Sequence, residues 1–290
     1  MIKLLKKIIY KFYGLKTYVF KPKPFEGVKI LLYHDVDDDN FDNQINYLNK
    51  NYNIISLEEM LKKINSGIEL MNTFVITFDD GLKDNFKLLN TIKKYKIKPT
   101  IFITGYINTN NKFWFNNFNQ DDLIKLLNMT NAERLNFLIN NLPANQVNQR
   151  ESLNLIEIDQ MKKFVDFQPH TISHPNLTKC SYDEINQEII DSVNLVYKIT
   201  GNKPIAIAPP FGIYNQTVIE CVKKINLKCC LTIKPGINFN CDDLYSLKRI
   251  GIPKSCDMNE FIIRIDGYWD VIRSFPLFKG YSSFYNQFYE

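Results

Sequence analysis

Seven short apolar runs recur along the chain, and each ends on polar or turn-forming residues. They are "VKILLYHDV" (28–36), "FVITFDDG" (74–81), "KPTIFITG" (98–105), "FVDFQPHT" (164–171), "PIAIAPPFG" (204–212), "LKCCLTIKPG" (227–236) and "LKRIGIP" (247–253). Most are apolar on both faces, the pattern of parallel strands covered by helices. Helical patterns occupy 56–65, 82–95, 181–199 and 215–225, and Asn215 stands where an N-cap is wanted. This alternation predicts an α/β fold. Polar residues at the strand ends favour an incomplete α/β barrel over an open doubly wound sheet, because in a barrel the loops after the strands converge on one mouth. His34-Asp35, Asp79-Asp80, His170 to His174 and Pro209 to Gly212 all fall at such ends.

One segment breaks the repeat. From about 106 to 160 a long excursion opens on "KFWFNNF" and runs through helical stretches before the next strand. A loop of that length is usually functional. The expectation is that Phe113, Trp114 and Phe115 anchor it to the outside of the barrel, while the insertion as a whole acts as a lid or substrate wall.

The distribution of charge separates the first residues from the body. Residues 1–25 hold seven lysines and no acid, leaving 29 basic against 31 acidic residues in the rest of the chain. A nucleic-acid-binding protein carries its positive charge on the folded body, so nucleic acid is excluded as a partner. In "MIKLLKKIIYKFYGL", lysines interrupt any continuous apolar core, so neither a signal peptide nor a spanning helix is expected. On a helix, Ile2, Leu5, Ile9 and Phe12 share a face. Two readings follow: a basic amphipathic segment (1–25) on an anionic membrane surface, or a helix packed on the barrel domain (26–290). The corresponding expectation for location is cytoplasmic, at the inner face of the membrane. The six cysteines show no CxxC pair or zinc-ribbon spacing and read as buried free thiols.

The chemistry concentrates at two strand ends. Asp79 and Asp80 close a wholly apolar strand, so their carboxylates are partly buried and need a metal or cation as partner. The chain has three histidines, and two of them, His170 and His174, lie four apart at another strand end. Two imidazoles and one carboxylate make a site that leaves coordination positions free for water and substrate.

"TFDDG" (77–81), "HTISH" (170–174) and "PPFG" (209–212), in this order, resemble the polysaccharide deacetylases of carbohydrate esterase family 4 over roughly residues 28–265. The resemblance implies a distorted (β/α)7 barrel and a divalent metal, zinc by default with Co2+, Ni2+ or Fe2+ as alternatives, used to remove acetyl groups from N-acetylated sugars. It implies Asp80, His170 and His174 as metal ligands and Asp79 as general base. It places the backbone N–H of Phe211 at the oxyanion, with Pro209, Pro210 and Gly212 shaping that turn against the substrate. Many members carry the acid histidine near the C-terminus, and no histidine follows His174 here. A subset with the acid on an N-terminal strand, as if circularly permuted, points to His34; the alternative is a structural His34 tied to Asp35. Many members also carry an arginine before the Pro-Pro pair, where this chain has Ala208. Lys234, at the end of the next strand, is the expected substitute. The implied substrate is an acetylated glycan or glycolipid precursor. Alternatives are an O-acetyl ester or a non-sugar amide on the same metal site, or a carbohydrate-binding protein without catalysis.

Overall fold

The structure, a computed structural model, describes residues 24–109, 112–142, 150–240 and 242–267. The basic segment 1–23, with the membrane contact expected of it, lies outside the described residues. The barrel is built around β1 (Val28–Tyr33) and β3 (Thr73–Phe78), parallel partners over six residues from Val28 opposite Thr73 to Tyr33 opposite Phe78. Both strands are buried along their whole length. Their side chains alternate between two cores: Val28 and Ile30 face the barrel interior with Val75 and Phe102. Leu31 and Tyr33 join Phe41, Phe74 and Phe78 in the layer beneath the helices. Two apolar faces are what produced continuous apolar runs in place of simple alternation.

From this pair the sheet extends through β4 (Thr100–Ile103) to β5 (Asp166–Pro169) on one side and to β8 (Arg249–Gly251) on the other, all parallel. The short β2 (Asn53–Ile54) adds only to the start of β3. β6 (Ala206–Ile207) and β7 (Cys229–Cys230) form a separate parallel pair. Leu247 joins it to β8, donating its N–H to the Cys230 carbonyl at 3.0 Å and accepting the Thr232 N–H at 2.8 Å. Between β5 and β6 a side chain substitutes for the ladder. The buried Gln168 accepts the Ile205 and Ala206 N–H groups on its Oε1 at 2.8 and 2.9 Å. Seven staves thus close in the order β1-β3-β4-β5-β6-β7-β8, the distorted (β/α)7 barrel that was expected.

The helices lie outside this ring. α1 (Asp38–Asn51), unanticipated in the sequence, places Phe41, Ile45 and Leu48 in the outer core. α2 (Leu57–Asn65) begins at Ser56, whose hydroxyl caps the Glu59 N–H at 3.1 Å. The helical pattern over 82–95 divides into a 3-10 segment (Lys83–Leu88) and α3 (Leu89–Tyr95). The insertion supplies α4 (Gln120–Asn128) and α5 (Asn131–Asn141), packed on a core of their own made by Trp114, Leu126, Leu127 and Leu138. α6 (Leu155–Met161) leads back to β5. α7 (Tyr182–Thr200) opens with a reciprocal cap between Ser181 and Glu184. α8 (Gln216–Lys224) is capped by Asn215 as its sequence foretold, and α9 (Met258–Ile265) closes the described chain. The described cysteines are free thiols. Among the described residues no helix is long and apolar enough to cross a membrane.

Candidate active site

The four strand-end motifs meet at one mouth. The Asp79 N–H still pairs with the Tyr33 carbonyl at 2.9 Å, continuing the β1–β3 ladder one step beyond the strand. The chain then turns through left-handed backbone at Asp80 (φ 70°) and Gly81 (φ 66°). A Cβ at Gly81 would lie 2.6 Å from Cγ2 of Ile103, so the turn demands glycine there. The turn aims the adjacent carboxylates at different partners.

Asp80 faces the histidines. The His170 N–H pairs with the Ile103 carbonyl at 2.9 Å, and the loop that follows bends through Thr171 (φ 66°) and His174 (φ 52°). Asp80 Oδ1 lies 3.4 Å from His170 Nε2 and 3.3 Å from His174 Nε2, with all three residues buried. His170 Nδ1 is 2.6 Å from the Ala208 carbonyl, an acceptor only, so the proton belongs on Nδ1 and the Nε2 lone pair points into the site. Asp80 Oδ1 is buried without a hydrogen-bond partner. The candidate ligand atoms of the three residues lie within 4.8 Å of one another. Lone pairs facing a buried carboxylate oxygen are unfavourable until a cation sits among them, and two imidazoles with one carboxylate are a donor set for zinc or a related divalent ion. The residues therefore fit the metal that the motifs imply. The imidazoles diverge electrostatically: burial pulls His174 down to about 4. For His170 burial is outweighed by the Asp80 and Asp79 carboxylates, and its value rises.

Asp79 is held by Arg249 of β8. Both guanidinium Nη atoms donate to the carboxylate, Nη1 to Oδ1 and Nη2 to Oδ2, each at 2.7 Å. Arg249 is fully buried, with Nε donating to the Thr232 carbonyl at 2.7 Å and Nη1 to Thr77 Oγ1 at 3.3 Å. Burial alone would raise the Asp79 carboxyl, but Arg249, with help from His170 and His34, holds it below its ordinary value. This corrects the expectation for Lys234. Lys234 is exposed, with its ammonium 5.4 Å from the Tyr214 ring centre, and only its carbonyl meets Arg249, accepting the backbone N–H at 2.9 Å. The cation comes from β8, the strand that follows Lys234. The missed signal was a lone arginine in the apolar run "LKRIGIP", since a buried guanidinium must have a carboxylate partner.

His34 follows β1 directly, one register step beyond the Tyr33–Phe78 pair and so beside Asp79. It is exposed at the mouth, and its carbonyl accepts from Asn85 Nδ2 at 2.9 Å. Asp35 pairs with Lys254. Pro209, Pro210, Phe211 and Gly212 form a tight turn in which the Gly212 and Ile213 N–H groups fold back on the Pro209 and Pro210 carbonyls. Phe211 is left-handed (φ 57°) and presents its ring to His174 at 4.5 Å.

The insertion aromatics do not grip the outside of the barrel. Phe113 and Trp114 are buried, and the Trp114 indole N–H is shared between the Ser173 and His174 carbonyls at 3.1 and 3.2 Å. Phe115 stands 4.4 Å from the His174 ring, across from Phe211. They wall the mouth because the loop carrying His174 offers the indole two otherwise free carbonyls.

Comparison with known proteins bears on the family and the fold. The family model described as polysaccharide deacetylase matches residues 69–230, more than half of the chain. The chain belongs to the polysaccharide deacetylase family. Among curated relatives, YxkH of Bacillus subtilis is 22% identical over 237 residues, covering 77% of this chain and 70% of its own. The peptidoglycan-N-acetylmuramic acid deacetylase PdaA of Bacillus subtilis is 26% identical over 178 residues, covering 57% of this chain; the chain spans about half (51%) of PdaA. Among solved structures, the Streptococcus pyogenes deacetylase PplD, in complex with acetate, superposes with a TM-score of 0.61 at 24% identity, over 83% of this chain and 99% of that one. IcaB from Ammonifex degensii gives 0.64 at 15% identity, over 84% and 97%. At these identities the structural likeness is one of fold.

Proposed function

We propose that this polysaccharide deacetylase family member is a metal-dependent hydrolase that removes N-acetyl groups from amino sugars of a glycan or lipid-linked glycan precursor. The observation that carries the reading is the division of labour between neighbouring carboxylates: Asp80 turned to two imidazoles, Asp79 forked by Arg249. Asp80, His170 and His174 would hold the ion. When bound, the metal would polarise the acetyl carbonyl and lower the pKa of water towards about 7.

The chain's own residues supply the rest. Asp79, kept ionised and oriented by Arg249, would accept the proton of the attacking water. Phe211 offers its N–H to the oxygen that gains charge in the tetrahedral intermediate, while the Pro209-Pro210 turn fixes that donor in place. His34, beside Asp79 and open to the mouth, donates a proton to the departing nitrogen. An amine is a poor leaving group without that proton, which favours an amide over an ester as substrate. The lysines of residues 1–23 support contact with an anionic membrane surface; deletion of these residues should then release the protein from anionic vesicles.

The test is zinc content and acetate release, measured on wild type, His174→Ala and Asp79→Asn with N-acetylated and O-acetylated sugars. Expected are near-stoichiometric zinc in wild type and Asp79→Asn, little in His174→Ala, and acetate from the amide with wild type alone. Full activity of Asp79→Asn, or a wild type that holds no metal, would overturn the reading.

A further inference from the structure

Ser173 stands between the two proposed ligand histidines, and its N–H, hydroxyl and carbonyl are all engaged from outside the loop. Glu188, from the second turn of α7, accepts the Ile172 N–H at 2.8 Å and the Ser173 N–H at 2.9 Å on Oε2, and the Ser173 hydroxyl at 2.6 Å on Oε1. Arg134, from α5 of the insertion, donates from Nη2 to the same hydroxyl at 3.3 Å. The same Nη2 donates to Asn131 Oδ1 at 2.7 Å, and Asn131 Nδ2 donates to Glu184 on α7 at 2.8 Å. The Ser173 carbonyl is taken by Trp114.

Arg134 is only 2% exposed, and its Nε and Nη1 are buried with no hydrogen-bond partner. Its guanidinium lies 5.1 Å from the Trp114 ring centre, so an aromatic face receives the remaining charge. A buried guanidinium on an insertion helix, hydrogen-bonded to Asn131 of its own helix and to one serine hydroxyl outside it, is an expensive arrangement unless that hydroxyl must be held. Thr171 and His174, on either side of Ile172 and Ser173, both have left-handed backbone, which a free loop would relax. His174 also lacks the support that His170 draws from the Ala208 carbonyl, because His174 Nδ1 has no partner. Its position therefore depends on the backbone that carries it and on the Phe115 and Phe211 rings packed beside it.

We infer that Glu188 and Arg134 are positioning residues: through Ser173 they clamp the histidine loop in the conformation that aims His174 at the ion, so that α7 and the insertion together set metal affinity. The inference rests on the metal site proposed above, but loop order can be judged without it.

The experiment uses the full chain with Glu188→Ala, Glu188→Gln, Arg134→Met and Ser173→Ala. Zinc affinity is measured by competition with a chromophoric chelator, and amide exchange over 170–176 is measured by mass spectrometry on metal-free protein. Losing the support behind a metal ligand typically weakens binding about 10–100-fold. Glu188→Ala should fall in that range and Arg134→Met near its lower end. Glu188→Gln, which keeps an acceptor for the two amides, should lose less. Exchange over 170–176 should quicken in Glu188→Ala while the rest of the barrel is unchanged, and activity at saturating zinc should stay within a few-fold of wild type. A folded Glu188→Ala with zinc affinity within twofold of wild type overturns the inference. If that variant does not fold, unchanged affinity in both Glu188→Gln and Ser173→Ala overturns it. If wild type binds no zinc, the proposed function fails and exchange decides the clamp: unchanged protection in Glu188→Ala refutes it.

Discussion

Replacing Arg249 with methionine keeps most of the side-chain volume and removes the charge from the barrel interior. Arg249 is 0% and Asp79 3% exposed, so the variant leaves a buried carboxylate facing no cation, and the Thr232 carbonyl loses the Arg249 Nε–H. Removing one partner of a buried, hydrogen-bonded ion pair destabilises by about 3–5 kcal/mol. In a domain of this size each kcal/mol shifts the melting temperature by about 2–4 °C, so Arg249→Met should melt about 6–20 °C below wild type. Neutralising the orphan should repair part of the damage. The double variant Arg249→Met/Asp79→Asn is therefore expected to recover about 2 kcal/mol relative to Arg249→Met, a coupling that a double-mutant cycle reads directly. Acetate release should fall at least about 100-fold in Arg249→Met, since the proposed base loses its orientation. Calorimetry and an acetate assay on the four proteins suffice. An Arg249→Met protein that melts within 2 °C of wild type, or that keeps its activity, would refute both the stability argument and the assigned role of the pair.

Three further outcomes are expected. Stripping metal with a chelator should lower the melting temperature by about 5–11 °C when zinc had been present near a hundredfold above its dissociation constant, about 2.7 kcal/mol of linkage; Asp80→Ala should show no response to either zinc or chelator. Lys29 is pulled by burial from its ordinary value down to about 8, so between pH 8 and about 10 the unfolded chain binds more protons than the folded one. Stability should rise by about 2–3 kcal/mol across that window relative to Lys29→Met, as measured by urea denaturation at each pH; a parallel pH dependence in the two proteins would contradict it. Gly81→Ala must take a left-handed backbone with its methyl 2.6 Å from Ile103 Cγ2, and should lose about 2–4 kcal/mol together with zinc binding.

The fold was legible where the chain is buried on two faces. The long parallel pairing of β1 with β3 appears in the sequence as unbroken apolar runs, and the polar residues at the ends of such runs marked the mouth. The runs at 204–212 and 227–236 promised long strands, yet β6 and β7 have two residues each. Gln168 supplies hydrogen bonds that a ladder would otherwise make, and a side chain standing in for backbone leaves no periodic trace. The pairing of His170 with His174 was legible because their spacing within one loop is local, whereas Asp80 as their partner came with the family resemblance. The partner of Asp79 was not: Arg249 is 170 residues away, and its relevance depends on β8 closing against β1. The aromatic wall failed for the same reason. "KFWF" shows an apolar segment in need of burial, but only the tertiary structure shows that the burial is against the His174 loop.

Eight non-glycine residues of the described chain have left-handed backbone, and four of them, Asp80, Thr171, His174 and Phe211, are gathered at the mouth. Each sits in a conformation that disfavours L-residues by roughly 1–2 kcal/mol, and glycine at any of them would relieve it. A laboratory search for heat-tolerant variants, selecting on solubility or melting alone, would be drawn towards these positions and would dismantle the mouth as it went. Conversely, drift in a lineage that no longer needs the reaction should erode these four before it touches the barrel staves. The pattern of left-handed residues thus offers a way to tell a working member from a retired one whose fold is intact.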